Sequence, residues 1–145
     1  MSDIQDPGAT PEAMSIKKIG VIGAGQMGSG ISHIAALAGI DVVMSDISQE
    51  QLDKAMATID RNLERQVQRD RINSAIKQDA LDRLSGSTDY SALNDCDIVI
   101  EAATENESVK REIYKAMIPS LRPDTIIASN TSSISITRLG ATTDR

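Results

Sequence analysis

Three glycines in the run GVIGAGQMGSG, Gly23, Gly25 and Gly28, stand at the spacing GxGxxG between a short apolar stretch and a helical pattern. In that context each has a mechanical task. Gly23 permits a tight turn, Gly25 lets a pyrophosphate approach the backbone, and Gly28 lets the helix pack closely on the strand. Gln26 and Met27 fall between them at the helix N-terminus, where free N–H groups and the positive end of the dipole favour phosphate. Asp46 follows at the end of the next apolar run, DVVMSD. A carboxylate there accepts hydrogen bonds from both ribose hydroxyls of an adenosine and repels a 2′-phosphate, a combination that selects NAD over NADP. No basic residue in 44–48 offsets it. Two plainer readings stand beside these: a glycine turn without ligand, and an acid that only complements a helix dipole.

Two further stretches bring polar groups to strand ends. DIVIEAATEN, residues 97–106, carries Glu101 and Glu105 four positions apart, either near a ligand crevice or as solvated loop acids. In TIIASNTSS, residues 125–133, Asn130 and the hydroxyls of Thr131, Ser132 and Ser133 either cap a helix starting near Ile134 or bind substrate. Cys96, between Asp95 and Asp97, is a packing residue rather than a nucleophile, because flanking carboxylates disfavour its thiolate. The residue pattern proposes no metal site.

The elements that position these groups follow from periodicity. Residues 1–15 mix Pro, Gly and acids without period and are expected to form a disordered leader. IKKIGVIG is a strand, a helix is expected from about Gln26 to Ala38 with Gly39 closing it, and residues 41–46 form a second, buried strand. Ser48 and Gln51 resemble a capping box. Leu52, Met56, Ile59, Leu63 and Val67 then keep a helical period. A second helix is expected over about 73–84, stopped by Gly86, with a weak strand near 87–89. Residues 97–103 form a strong strand, 107–118 a helix ending before Pro119, and 125–129 the last strand. The alternation predicts an α/β fold: a doubly wound parallel sheet of the Rossmann dinucleotide-binding kind, with an inserted helical hairpin and its ligand at the carboxyl ends of the strands.

Composition narrows the partners. The 145 residues fit one domain, and the net charge of -6 argues against nucleic acid or an anionic membrane face. One cysteine rules out an intrachain disulfide framework and points to a reduced, cytoplasmic setting. No apolar run approaches the ~18 residues of a membrane span. Two Tyr with no Phe or Trp is sparse for a complete catalytic domain.

In order and interval, GAGQMGSG, the strand ending in Asp46, the helical hairpin, DIVIEAATEN and ASNTSS resemble the NAD-binding domain of the 3-hydroxyacyl-CoA dehydrogenases, particularly the bacterial 3-hydroxybutyryl-CoA type. The resemblance covers about residues 16–145. It implies that Ser132 contacts the reacting oxygen of an acyl-CoA, that Asn130 and Glu105 lie near the nicotinamide, that Lys110 is a cofactor contact, and that the hairpin meets coenzyme A. Arg61, Arg65 and Arg69 recur every four residues on that hairpin, with Arg71 beyond. Arg65 and Arg69 are therefore expected on the substrate's phosphates, although a solvated charged face accounts for the same stripe. The family's catalytic histidine stands in an HFxNP segment beyond the matching serine, with a partner glutamate further on, and both positions fall after Arg145. His33 lies off the core stripe of its helix and outside any such motif.

The resulting expectation is a leader, 1–15, followed by an NAD-binding domain, 16–145, truncated before the catalytic histidine and a helical C-terminal domain. The complete protein would be an oxidoreductase of fatty acid metabolism acting on the 3-hydroxyl or 3-oxo group of short-chain acyl-CoA, and a homo-oligomer. This chain alone would bind NAD without turnover and self-associate through strand 125–129. The rivals are a non-catalytic NAD-binding module, crystallin-like or sensor-like, and a 3-hydroxyacid dehydrogenase using NADP, against which Asp46 and ASNTSS both speak.

Overall fold

A computed structural model describes residues 16–103 and 106–129. Strands and helices alternate: β1 Lys18–Ile22, α1 Gln26–Leu37, β2 Asp41–Ser45, α2 Gln49–Gln68, α3 Ser74–Asp82, β3 Leu84–Ser87, β4 Ile98–Glu101, α4 Glu107–Met117 and β5 Ile126–Ser129. Short 3-10 turns at Tyr90–Leu93 and Ile118–Ser120 complete the connections. Every pairing is parallel and the spatial order is β3-β2-β1-β4-β5, so the direction of winding reverses between β1 and β4. This is the expected doubly wound sheet with its helical hairpin, α2 and α3.

Alternation along the strands explains the two cores. Val21, Val42 and Met44 face the side covered by α1, α2 and α3, where Leu52, Ile59 and Leu63 meet them. Ile22, Val43 and Val99 face the opposite side, against Leu93, Cys96, Tyr114 and Met117. Successive strand residues point to opposite faces, so one register serves both layers. The same register aligns the carboxyl ends of the strands: Ile22 pairs with Ser45 and Glu101, Ser45 with Ser87, and Glu101 with Ser129. That row is the rim on which a ligand crevice opens in such sheets.

Helix ends are set by side chains. Ser48 accepts the Gln51 N–H at the start of α2, Asn73 accepts the Ile76 N–H at α3, and Asn106 accepts the Val109 N–H at α4. At the end of α1, Gly39 takes a φ of +92°, which a side chain would resist. Along α2, Leu52, Ala55, Ile59 and Leu63 are buried, whereas Val67 is only half-buried and joins neither core.

Three boundaries differ from the sequence reading. α3 ends at Asp82, and the chain enters the sheet as β3 at Leu84 instead of near Ser87, because the Arg83 carbonyl accepts the Val42 N–H and Leu84 aligns with Val42. Gly86 is therefore a strand residue and not a helix stop; its missing Cβ leaves room for Leu52, whose Cδ2 would stand 3.3 Å from it. α4 stops at Met117, one residue earlier than expected, and the backbone tightens into the 3-10 turn that contains Pro119. The expected helix near Ile134 and the leader, 1–15, lie outside the described residues.

Candidate functional site

The glycine turn is built as its spacing demands. Gly23 has a φ of +102°, and a Cβ on it would stand 2.7 Å from the Ala103 Cα, so the turn after β1 and the turn after β4 touch backbone to backbone. A Cβ on Gly28 would run into the Gly23 carbonyl oxygen, which fixes how closely α1 starts against the turn. Gly25 is different: apart from its chain neighbours, no described residue comes within 4 Å of where its Cβ would be. Its task is to leave space for something else. Gly25 is also the N-cap of α1 and supplies no side-chain hydrogen bond, and the first turn holds no acidic residue. Gln26 and Met27 are exposed there, Met27 by 55%. The start of the helix thus has neither a side-chain cap nor an acid in its own first turn, a site suited to phosphate.

Asp46 immediately follows β2 and is half-buried. Its Oδ2 accepts the Ala24 N–H at 2.9 Å and its Oδ1 accepts the Ser48 N–H at 2.9 Å. An ionised carboxylate has about four lone-pair sites, so each oxygen keeps capacity for a ribose hydroxyl after these bonds. The Asp46 N–H in turn donates to the Ser87 carbonyl. Tyr90 lies close by on the α4 side of the sheet; burial, and then the Asp46 charge, push its hydroxyl pKa up.

The end of β4 departs from the sequence reading. Glu101 and Lys110 are both fully buried and form an ion pair, and Glu101 Oε2 also accepts the Ala103 N–H at 2.6 Å. Glu101 is therefore neither a solvated loop acid nor open to the crevice. Lys110, expected as a cofactor contact, has its ammonium on a carboxylate beneath the rim. The sequence carried a signal for this: Lys110, Tyr114 and Met117 fall on one α4 face at helical spacing and are all buried. Burial, and then the Glu101 charge, push the Tyr114 hydroxyl up to about 12. Glu105, Asn130 and Ser132 lie outside the described residues; β5 ends at Ser129, level with Glu101.

From the glycine turn a cleft of about 870 Å³ runs between α1 and α2. Gly25, Gln26 and His33 line it from α1 and the turn before it, and Arg65, Arg69 and Arg71 line it from the last turn of α2 and just beyond. Arg71 reaches it because Asp70 takes a φ of +58°, turning the chain back after α2. No ion pair among the described residues engages these three arginines. Arg61 stands apart, its guanidinium on the Thr58 hydroxyl at 3.3 Å. His33 is half-buried on the cleft wall, and burial lowers its pKa. Cys96 is a buried, free thiol, pushed up to about 11 chiefly by burial, with its flanking carboxylates as lesser causes. Among the described residues no cluster of His, Cys, Asp or Glu is arranged to hold a metal ion.

The open approach at Gly25, the bare helix end and the remaining acceptor capacity of Asp46 fit a dinucleotide with an unphosphorylated adenosine ribose, as NAD has. Comparison with known proteins agrees. Residues 18–145 match the family model described as 3-hydroxyacyl-CoA dehydrogenase, NAD binding domain. A 3-hydroxybutyryl-CoA dehydrogenase of Bradyrhizobium diazoefficiens is 54% identical over 133 residues, covering 92% of this chain and 45% of that protein. The crystal structure of (S)-3-hydroxybutyryl-CoA dehydrogenase PaaH1 from Ralstonia eutropha superposes with a TM-score of 0.87 at 47% identity, covering 90% of this chain and 46% of that one. FadB2 of Mycobacterium tuberculosis superposes with a TM-score of 0.84 at 38% identity, covering 88% and 45%. The chain thus spans about half the length of the relatives it matches. With residues 18–145 matching that family model and a relative 54% identical over 133 residues, the chain belongs to the 3-hydroxyacyl-CoA dehydrogenase family as its NAD-binding domain.

Proposed function

We propose that this domain serves an NAD-dependent dehydrogenase that interconverts the 3-hydroxyl and 3-oxo groups of a short-chain acyl-CoA. The observation that carries the substrate class is the cleft. Its lining includes both the glycine turn and Arg65, Arg69 and Arg71, so a molecule that reacts at the cofactor and carries phosphates elsewhere would meet guanidinium groups in the same cleft. Gly23, Gly25, Gln26, Met27 and Gly28 would cradle the NAD pyrophosphate, and Asp46 would accept its ribose hydroxyls. The chemistry NAD supplies when bound is acceptance or return of a hydride at substrate C3. Asn130 and Glu105 belong at the nicotinamide end of this reading, and Ser132 orients the reacting oxygen by hydrogen bonding. A base with a pKa near the working pH must remove the hydroxyl proton. His33 is unsuited to that task, because it lies on the cleft wall of α1, among residues that would hold the substrate's length.

A cytoplasmic setting belongs to the same reading, supported by the single, free cysteine. So does self-association through residues 125–129. β5 pairs with β4 alone among the described strands, and Ile126 on it is 57% exposed. Sedimentation over a wide concentration range tests that contact, which a strict monomer at high concentration would rule out.

The activity is tested by acetoacetyl-CoA-dependent oxidation of NADH, using this domain joined to the C-terminal half that its relatives carry. Turnover that falls about 10²–10³-fold in Ser132→Ala supports the assignment. NADH binding without turnover of any 3-oxoacyl-CoA would favour a non-catalytic NAD-binding module.

A further inference from the structure

Gly30 is a glycine that neither backbone conformation nor packing requires. It sits inside α1, away from both ends, and it is not among the glycines with a positive φ. Gly28, two residues earlier, has the Gly23 carbonyl where its Cβ would go. At Gly30, apart from its chain neighbours and the backbone of its own helix, no described residue comes within 4 Å of that point. A glycine inside a helix weakens it relative to alanine, because the unfolded chain is freer and no side chain packs. The position opens onto the cleft instead. Gly30 is exposed and lines it, and Ile34, one turn further along the same face, lines it too and is 70% exposed.

We propose that the bare backbone at Gly30 makes room for the pantetheine arm of the acyl-CoA, which lies over Gly30 and against Ile34. This rests on the acyl-CoA reading of the cleft. The charges of the two walls decide which part of the substrate belongs there. α1 contains no Asp, Glu, Lys or Arg, so along its length it offers phosphate nothing, whereas Arg65, Arg69 and Arg71 supply guanidinium groups from the other wall. The arm is the stretch of an acyl-CoA without charge: methylenes and a branched dimethyl carbon suited to an isoleucine, with two amides that need polar partners. Thr58, Asn62 and Gln66, four residues apart along α2, line the same cleft with uncharged hydrogen-bonding groups. An extended arm with amides on one side and methyls on the other matches such a pair of walls, provided the apolar one leaves clearance.

Gly30→Ala and Gly30→Leu fill the space while favouring the helix, so stability and function should move in opposite directions. In the full chain the thermal midpoint is expected to rise by about 2–4 °C in Gly30→Ala. NADH affinity, measured by calorimetry, should stay within about threefold in both variants. With the C-terminal half that its relatives carry joined on, Gly30→Leu should lower kcat/KM for acetoacetyl-CoA and for acetoacetyl-pantetheine alike by about tenfold or more, with a smaller loss in Gly30→Ala. Acetoacetyl-N-acetylcysteamine keeps only the first amide of the arm and should lose less than about threefold. Unchanged kcat/KM for acetoacetyl-CoA in Gly30→Leu would overturn the proposal. So would an equal loss with every thioester, which would put Gly30 at the reacting centre, or a loss of NADH affinity of about tenfold, which would give the space to the dinucleotide. A Gly30→Leu thermal midpoint that rises in the full chain but falls in the joined protein would assign the face to the C-terminal half, with the same consequence. An unmodified joined protein that turns over no 3-oxoacyl thioester would sink the acyl-CoA reading itself, a result distinct from all of these.

Discussion

The Asp46 carboxylate accepts the backbone N–H of Ala24 at 2.9 Å and so ties the end of β2 to the glycine turn. The proposed reading gives the same side chain the choice of cofactor. The unmodified chain is expected to bind NADH more tightly than NADPH, because a 2′-phosphate would meet a carboxylate already committed to two N–H donors. Asp46→Ala should weaken NADH by about tenfold or more. It should also lower the thermal midpoint, since the Ala24 and Ser48 N–H groups lose their acceptors. Calorimetric titration with both dinucleotides, beside a melting curve, measures the two effects. Equal affinity for the two cofactors in the unmodified chain would remove Asp46 from the selective role.

Gly25 and Gly28 should separate binding from folding. Gly25 has a φ of -78° and open space at its Cβ position, so Gly25→Ala is sterically accepted, and the thermal midpoint should change little, because the poorer N-cap offsets the less flexible unfolded chain. NADH binding should still fall at least about tenfold, because the added methyl occupies the approach left for the pyrophosphate. In Gly28→Ala the methyl meets the Gly23 carbonyl, so stability itself should drop by about 1–3 kcal/mol or more. A Gly25→Ala chain that binds NADH normally would place the pyrophosphate elsewhere.

Much of this was legible in the residue pattern, for identifiable reasons. The GxGxxG spacing sits in the strand-to-helix context that makes it informative, and the conformations of Gly23 and Gly28 match the tasks that spacing assigns. Strong periodicity located α1, α2 and α4 within a residue or two. β3 was misplaced because Leu84-Ser85-Gly86-Ser87 has one apolar side chain and no alternation; its pairing with β2, not its own propensity, makes it a strand. The burial of Lys110 could be read from its place on one α4 face with Tyr114 and Met117, whereas its pairing with Glu101, nine residues earlier, is a tertiary meeting that no local pattern announces. The Arg71 contribution to the cleft depends on the backbone turn at Asp70, which no periodicity announces.

Asp97 should make stability sensitive to acid. Its carboxylate accepts the Lys17 N–H at 2.8 Å, the Lys18 N–H at 3.1 Å and an Arg122 guanidinium N–H at 2.9 Å, joining the start of β1 to the loop before β5. Arg122 first, then the backbone donors, hold its pKa below the ordinary aspartate value. A depressed folded pKa means stability that is fully present above the unfolded value of about 4 and is lost as the pH falls through the lower folded value. Asp97→Asn should therefore lower the thermal midpoint at pH 7, and the gap to the unmodified chain should close as the pH drops below about 4. Melting curves between neutral and strongly acidic pH test this. A gap that stays constant through that range would show that the charge on Asp97 contributes nothing.

The arginines that line the cleft should act on the coenzyme part of the substrate and not on the chemistry. Arg65, Arg69 and Arg71 engage no acid among the described residues, and Arg65 and Arg69 are exposed. Their charge is thus available to a ligand but also screened by salt, over a Debye length of about 8 Å at physiological ionic strength. Replacing both Arg65 and Arg69 by Ala should raise the KM for acetoacetyl-CoA about tenfold at low salt and less at high salt, with kcat little changed, because the contact is made equally in ground and transition states. Acetoacetyl-pantetheine lacks the nucleotide phosphates and should show no such dependence. NADH affinity should also be unaffected, since the arginines sit at the C-terminal end of α2 and not in the glycine turn. Steady-state kinetics with both thioesters, on the domain joined to the C-terminal half that its relatives carry, gives all these quantities. If the double variant loses affinity for the thioester and the pantetheine compound alike, the arginines shape the cleft without reading phosphate, and the stripe along α2 reverts to a solvated face.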